Sequence, residues 1–469
     1  MVILIFTILL LNYCSPHQAD RSQSSIVNFD HLNRLMETVT LGGKQCNIVH
    51  IYSEYPDYDL VDAAQEGIAC VDDVARAAVV YLRNYEITGD GSVLPTAKKL
   101  LNFVLYMQAE DGEFYNFINS DLSINKEART SRKSFDFWAV RGYWALGFGY
   151  KIFKPIEPDF AKNLKIAFLK CKRPLQKNLK LYQQFREINN RRYPQWLVNK
   201  TGSDATAVFF LGVVEYLKVE DDPELTEFAT QLDDGILAMQ IETGSKYEGA
   251  FISWIDTWHA WGNAQTQALA SYGYLSKQSH FIDAAKNEAD NFYIKLLIDA
   301  MLNQYSISDE NKTQEFPQIA YGIRCITLGL LRLYEATGNE DYAKLAGLAA
   351  SWLMGNNAVS KQMYDPKTGR CFDGINDSTS VNLNAGAEST IEALYTIVEI
   401  SNNPFAKKFI DCETVKTGVV ADSLNQIIVR YRVFNSKKEE KVVLIQDMEK
   451  DSFRLLEGSI AEEFFRNNH

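Results

Sequence analysis

The sequence predicts an all-α chain: an (α/α)6 toroid of six helical hairpins, followed by a small C-terminal β appendage. The first observation behind this is six short polar turns, each preceded by a long apolar helical pattern and followed by an amphipathic one. The first apolar residues after them are Leu94, Phe160, Leu225, Phe281, Tyr342 and Phe405, at successive spacings of 66, 65, 56, 61 and 63 residues. The second is that the connections alternate between short and long. The third is a switch to a period of two beyond residue 410, where Ile427 to Phe434 and Lys441 to Ile445 read as strands around an Asn435–Lys438 turn.

Each element is justified by its composition. The clearest turns are Tyr85-Glu-Ile-Thr-Gly-Asp90 and Tyr334-Glu-Ala-Thr-Gly-Asn339, and the others carry Pro, Asp, Asn, Ser or Lys between the two helical patterns. A helix apolar on most faces belongs inside, and one with a charged face belongs outside. Six inner helices are therefore expected, starting near Cys70, Ser134, Ser203, Ala260, Pro317 and Asn384, within a ring of six outer ones. A period near 60 exceeds the roughly 34 to 47 residues of open solenoid repeats, so a closed ring is expected. The chain then divides into a leader and linker over residues 1–25, the toroid over 26–410 and the appendage over 411–469.

Val2 to Leu11 is an apolar run interrupted only by Thr7, of signal-peptide length, and it ends at Leu11-Asn-Tyr-Cys14-Ser. It resembles a bacterial lipoprotein leader. The expectation is an exported protein, a periplasmic or outer-membrane lipoprotein, whose only membrane contact is a lipid anchor at Cys14.

Composition narrows the function classes. With 48 Lys and Arg against 60 Asp and Glu and no basic block, nucleic acid is not the expected partner. Seven scattered cysteines and six histidines form no CxxC or HExxH pattern, and no phosphate-cradling glycine motif is present. No metal or cofactor is expected.

The long loops, about 108–133, 240–259, 303–316 and 355–383, all fall where the inner helices begin, which marks that end as the working face. Trp254, Trp258 and Trp261 surround His259 there, and aromatic faces with polar neighbours suit sugar rings. At least one Trp is expected to face a ligand, while others plug the barrel. Carboxylates stand at the inner-helix starts: Asp72 and Asp73 in the first, Asp136 ahead of Arg141 in the second, Asp204 in the third and Glu388 in the sixth. In a closed ring the first and sixth inner helices are neighbours, so Asp72 or Asp73 faces Glu388 across one cavity. Acetal hydrolysis needs two such carboxyl groups. Adjacent acids differ by about 100° around a helix, so one points inward and the other pairs with Arg76. Capping accounts best for Asp204. A helix N-terminus lowers a carboxyl pKa, which suits Asp72 or Asp73 as an ionised base; Glu388 can serve as an acid only if burial outweighs the dipole.

Three segments carry a resemblance: Trp352-Leu-Met-Gly-Asn-Asn357, Met363-Tyr-Asp-Pro-Lys-Thr-Gly-Arg-Cys-Phe-Asp-Gly374 and Val381-Asn-Leu-Asn-Ala-Gly-Ala-Glu-Ser-Thr-Ile-Glu-Ala393. Over roughly residues 45 to 405 the chain resembles the six-hairpin glycosidase superfamily. It is similar to a bacterial domain found with glycosyltransferases and mannoside-processing enzymes, and more distantly to family 9 endoglucanases. The second resemblance implies Glu388 as general acid and Asp72 or Asp73 as base with an inverting outcome, although here the two Asp are adjacent rather than spaced. Tyr364, Asp373 and Asn384, within these segments, join Trp254, Trp258, His259, Trp261, Asp136 and Arg141 as substrate-binding candidates.

The expected function is a glycoside hydrolase-like enzyme acting on an oligo- or polysaccharide. Two alternatives keep the toroid. One is a polysaccharide lyase with His259 or Tyr247 as base and Arg141 or Arg370 neutralising a uronate. The other is a non-catalytic glycan-binding lipoprotein.

Overall fold

The computed structural model describes residues 26–422, 427–447 and 452–468. The leader and Cys14 lie outside the described residues. Helix α1 (Val71–Thr88) turns back into α2 (Leu94–Met107), α3 (Phe137–Phe153) into α4 (Pro158–Leu169), α5 (Ser203–Leu217) into α6 (Pro223–Leu237), α7 (Gln265–Ser276) into α8 (Ser279–Asn287) and α9 (Ala320–Thr337) into α10 (Glu340–Ala350). The arm begun by α8 runs on through a π-helical turn at Glu288–Tyr293 to Ile298. Helix α11 (Ala387–Asn402) is the sixth inner helix, and it packs against both α9 and α1, closing the ring α1–α3–α5–α7–α9–α11.

The two matching turn sequences are built alike. Gly89 and Gly338 take left-handed conformations at φ 71° and 72°, and their amides bond back to Tyr85 O and Tyr334 O at 2.8 Å. Thr88 and Thr337 bond to the carbonyls four residues earlier, and Asp90 and Asn339 cap the helical turns after them. Inner helices α3 and α5 approach with backbone against backbone: a Cβ on Gly147 would stand 2.3 Å from Gly212 O, and one on Gly212 would stand 2.7 Å from the Trp144 Cα. The expected sixth outer helix is reduced to a single 3-10 turn, Ala406–Lys408, because only eight residues separate Pro404 from the strand that begins at Glu413. A short helix, Asp30–Arg34, also packs on α11 there.

Ahead of α1 lie two hairpins. β1 (Met36–Leu41) pairs with β2 (Lys44–Val49) and packs on α2, while β3 (Tyr52–Glu54) pairs with β4 (Asp59–Val61). The C-terminal region is an antiparallel meander of β5 (Glu413–Asp422), β6 (Ile427–Asn435), β7 (Lys441–Asp447) and β8 (Phe453–Glu457), followed by α12 (Gly458–Asn467). Alternation divides its faces. Val429, Tyr431, Val433, Val443 and Ile445 pack with Ala461, Phe464 and Phe465 of α12, whereas Phe434, Val442 and Leu444 join the toroid core.

Among the described residues, no helix is long and apolar enough to cross a membrane.

Candidate functional site

The inner helices begin at one end of the ring, and there α1 and α11 place their first turns side by side. A cavity of about 300 Å³ opens between them, lined by Tyr52, Glu66, Cys70, Asp72, Asp73, Arg76, Asp373 and Glu388. Helix α1 is capped by a thiol: Cys70 Sγ accepts from the Asp73 amide at 3.5 Å and donates to Asp73 Oδ2 at 3.2 Å. The start of α11 carries no side-chain cap. Asp72, Asp73 and Glu388 are therefore not spent on capping their helices.

Arg76, almost fully buried, sits among four carboxylates. It lies 3.3 Å from Asp72, 2.7 Å from Asp73, 3.3 Å from Glu388 and 2.7 Å from Glu392. Arg141 reaches Asp72 at 2.5 Å, and Arg324 reaches Glu392 at 2.6 Å. Tyr321 stands at the centre. Its hydroxyl accepts from Arg141 Nη2 at 2.7 Å, and the guanidinium carbons of Arg324, Arg76 and Arg141 lie 4.9, 5.0 and 5.4 Å from its ring centre. Four carboxylates thus share three guanidiniums, and one negative charge is left over.

The surplus falls on Glu388. Burial in the walled site, opposed by Arg76 and reinforced by Asp72 and Asp73, pushes its pKa up to about 7. Its side chain is nevertheless 46% exposed, so its proton is accessible from the cavity. Burial also raises Asp73 against the pull of Arg76. For Glu392 burial works against ionisation, but Arg324 and Arg76 outweigh it and hold the carboxyl below the ordinary range. Burial is thus the largest influence on the Glu388 carboxyl.

The two adjacent aspartates differ. Asp73 has both oxygens engaged, by Arg76 and by the Cys70 thiol, and its side chain is only 6% exposed. Asp72 is bound by Arg141 and Arg76 and is 15% exposed. Asp373 lines the same cavity, accepts from Gly386 N at 2.8 Å and Ser389 Oγ at 2.7 Å, and is raised by burial.

The aromatic cluster is split. Trp258 is 1% exposed, stacked on Tyr305 and edge-on to Phe292, because strand Thr257–His259 pairs with Gln304–Ser306 and turns it inward. It is a core residue, not a sugar platform. Trp254 is exposed and Trp261 half-buried, and their rings hold His259 between them at 4.2 and 4.1 Å. His259 is buried with Nε2 3.2 Å from Asp204, so Asp204 serves the imidazole, not a helix cap.

Three further substrate-binding candidates do other work. Tyr364 is fully buried, and its hydroxyl bonds to the backbone of Ile26 and Asn28. Asp136 caps α3 through the Phe137 amide and accepts from Asn199 Nδ2 at 2.6 Å. Asn384 Oδ1 accepts from the Tyr55 amide at 3.0 Å and so anchors the β3–β4 hairpin. The lyase set is dispersed as well, since Tyr247 is stacked on Tyr305 at 3.9 Å and Arg370 lies over the Tyr58 ring at 4.2 Å.

Sequence reasoning missed Tyr52, Glu66, Cys70, Tyr321, Arg324 and Glu392. One signal was available: Arg324 and Glu392 are charges inside otherwise apolar helices, and Glu392 stands one turn from Glu388 on the same face. Among the described residues no group of His, Cys, Asp and Glu side chains is arranged to hold a metal ion.

No protein-family model matches the chain, and no curated protein matches it either. Solved structures do. A sugar epimerase from a ruminal bacterium superposes with a TM-score of 0.55 at 14% identity, over 78% of this chain and 94% of that one. Cellobiose 2-epimerase from Bacillus thermoamylovorans gives 0.53 at 12% identity, over 78% and 95%. A D-mannose isomerase gives 0.51 at 11% identity, over 75% and 91%. Together with the closed ring of inner helices, these likenesses show that the chain folds as an (α/α)6 toroid.

Proposed function

We propose that the chain is a carbohydrate-active enzyme that works by acid–base chemistry in the α1–α11 cavity, with hydrolysis of a glycosidic bond as its reaction. The observation that carries this is the placing of Glu388 on the cavity that Asp72 and Asp73 also line, with Arg76 between them, where burial pushes its pKa up to about 7. In this reading Glu388 protonates the leaving oxygen, and Asp72, ion-paired with Arg141 and Arg76, activates water or stabilises the developing positive charge. Asp73 is a positioning residue that orients Arg76.

A second reading is favoured by the structural neighbours, which are named as sugar epimerases and a mannose isomerase. Here Glu388 would exchange a proton with a sugar carbon next to the carbonyl, and cleavage would not occur. One experiment separates the two. The purified protein is incubated in D2O with cello- and manno-oligosaccharides, and separately with glucose and mannose. New reducing ends mark hydrolysis; with an unchanged number of reducing ends, deuterium at C2 of an aldose marks epimerisation and deuterium at C1 of a ketose marks isomerisation. Glu388→Gln should lower either turnover by about 10²- to 10⁴-fold. Full turnover by that variant would sink the assignment of Glu388.

A further inference from the structure

Where the β appendage docks on the toroid it leaves a cleft of about 650 Å³, against about 300 Å³ for the Glu388 cavity, and the two share no lining residue. That volume is within the range small ligands fill. One wall comes from the segment Trp352 to Asn357, which the Glu388 cavity leaves unused, and from Asp299 and Met301 beyond the α8 arm. Thr414, Arg432 and Phe434 of β5 and β6 form the other. The walls are fastened to each other at fixed points. Asn356 Oδ1 accepts from the Thr414 amide at 3.0 Å and from its hydroxyl at 2.7 Å, Arg430 meets Asp299 at 2.9 Å, and Lys344 meets Glu457 at 2.8 Å. Asn357 is spent on its own loop, donating to Trp352 O and Lys361 O.

Arg432 is the group in this cleft whose charge is not spent. Alternation along β6 turns Arg430, Arg432 and Phe434 toward the toroid, since Val429, Tyr431 and Val433 pack with α12. Arg430 takes Asp299 Oδ2, which Lys295 also holds at 2.9 Å. Arg432 is left with neutral acceptors: Nε donates to Thr417 Oγ1 at 3.3 Å and Nη2 to the Asp299 carbonyl at 3.0 Å. Nη1 has no partner among the described residues, so at most a part of the five-donor fork is used. Glu413, also on the cleft, is set by the strand register opposite Asn435, three residues and about 10 Å along from Arg432.

The toroid treats its buried arginines differently. At Arg76, Arg83 and Arg332 burial disfavours the charge, but adjoining carboxylates outweigh it and the pKa rises. At Arg432 burial wins over Asp299, and the guanidinium is pushed below its ordinary range. A half-buried cation short of counter-charge is costly to keep, and an incoming anion removes that cost.

We propose that the cleft between toroid and appendage is a second ligand site, taking a small molecule that carries a carboxylate or a phosphate, with Arg432 holding the charged group. The free Nη1 edge suits either acid, because both match the guanidinium fork. The body of the ligand lies against Met301 and Met354, half-buried side chains that adapt to irregular shapes.

The proposal is independent of the reaction assigned to Glu388. The full chain is titrated calorimetrically with inorganic phosphate, glucuronate, glucose 6-phosphate and glucose, with chloride keeping the ionic strength constant. Glucuronate and glucose 6-phosphate separate the two sources of the charge. At least one of the three anions should bind one-to-one in the millimolar range or tighter, and glucose should not. Arg432→Gln should weaken that binding about tenfold or more. Ala358→Trp crowds the exposed rim of the cleft and leaves Arg432 in place. It should weaken a sugar-borne anion to a similar extent, and it decides the outcome if Arg432→Gln does not fold. Glu388→Gln should bind as the wild type does. Undiminished binding in Arg432→Gln or, for a sugar-borne anion, in Ala358→Trp means an adventitious ion only and overturns the site. Loss of binding in Glu388→Gln overturns it by moving the anion to the other cavity. Glucose binding as tightly as the anions, or no binding by any anion, overturns it as well.

Discussion

Around Tyr321 the four carboxylates and three guanidiniums leave a single charge unmatched, and the proton on Glu388 removes it. This has two opposite signatures in pH. In the proposed role of general acid Glu388 must be protonated, so turnover should hold up to about pH 7 and fall about tenfold per unit above it. For stability, Glu388 binds its proton more tightly folded than unfolded. That contribution is fully present below the ordinary carboxyl range and is lost as pH rises through 7. Glu388→Gln cannot ionise, so it should melt above the wild type at pH 8 and lose that advantage by pH 4. A wild type that melts identically to the variant at pH 8 would contradict the raised pKa.

At the scale of elements, the closeness of α3 to α5 depends on two missing side chains. Gly212→Ala would set a methyl group 2.7 Å from the Trp144 Cα and the Tyr143 carbonyl, all backbone and unable to swing aside. The helices must separate, at a cost of about 1–3 kcal/mol. A urea titration should show a lower midpoint with the slope kept, and an unchanged midpoint would count against the packing described. The elements also show which features were legible in the sequence. The inner helices and their turns were, because burial on all sides and Gly-centred caps are written locally, in residues such as Tyr85–Asp90. The β3–β4 hairpin was not: its two three-residue strands carry no readable period, and its conformation is imposed by pairing with residues 385–387, more than 300 positions away. The fate of Trp258 was equally invisible, being decided by Tyr305 across a strand pair, whereas Asp72, Asp73 and Glu388 came together as expected once α1 and α11 were neighbours.

For the whole molecule, the seam between α1 and α11 is where the ring closes, and it is closed by charge. Arg76 spans it to Glu388 and Glu392, and lower down Arg83 spans it to Glu399 at 2.9 Å. Removing one member of a buried ion group leaves the others unpaired, so Arg76→Ala should cost about 3–5 kcal/mol in a denaturation experiment. The loss should exceed that of any single exposed ion pair, such as Lys98 with Glu157. Equal losses at the two sites would mean that the seam is not held by Arg76.

The same seam sets a timetable for synthesis. Arg76 is made 312 and 316 residues before the glutamates it binds across the ring. At about 5–20 residues per second, roughly 15–60 s of translation separate them. For that interval the nascent chain is an open arc, its first inner helix carrying a guanidinium that still belongs to water and its inner faces bare. A chain halted before Glu392 has neither the seam nor the cavity beside it, and so the cavity end of the toroid comes into being only as the last hairpin leaves the ribosome.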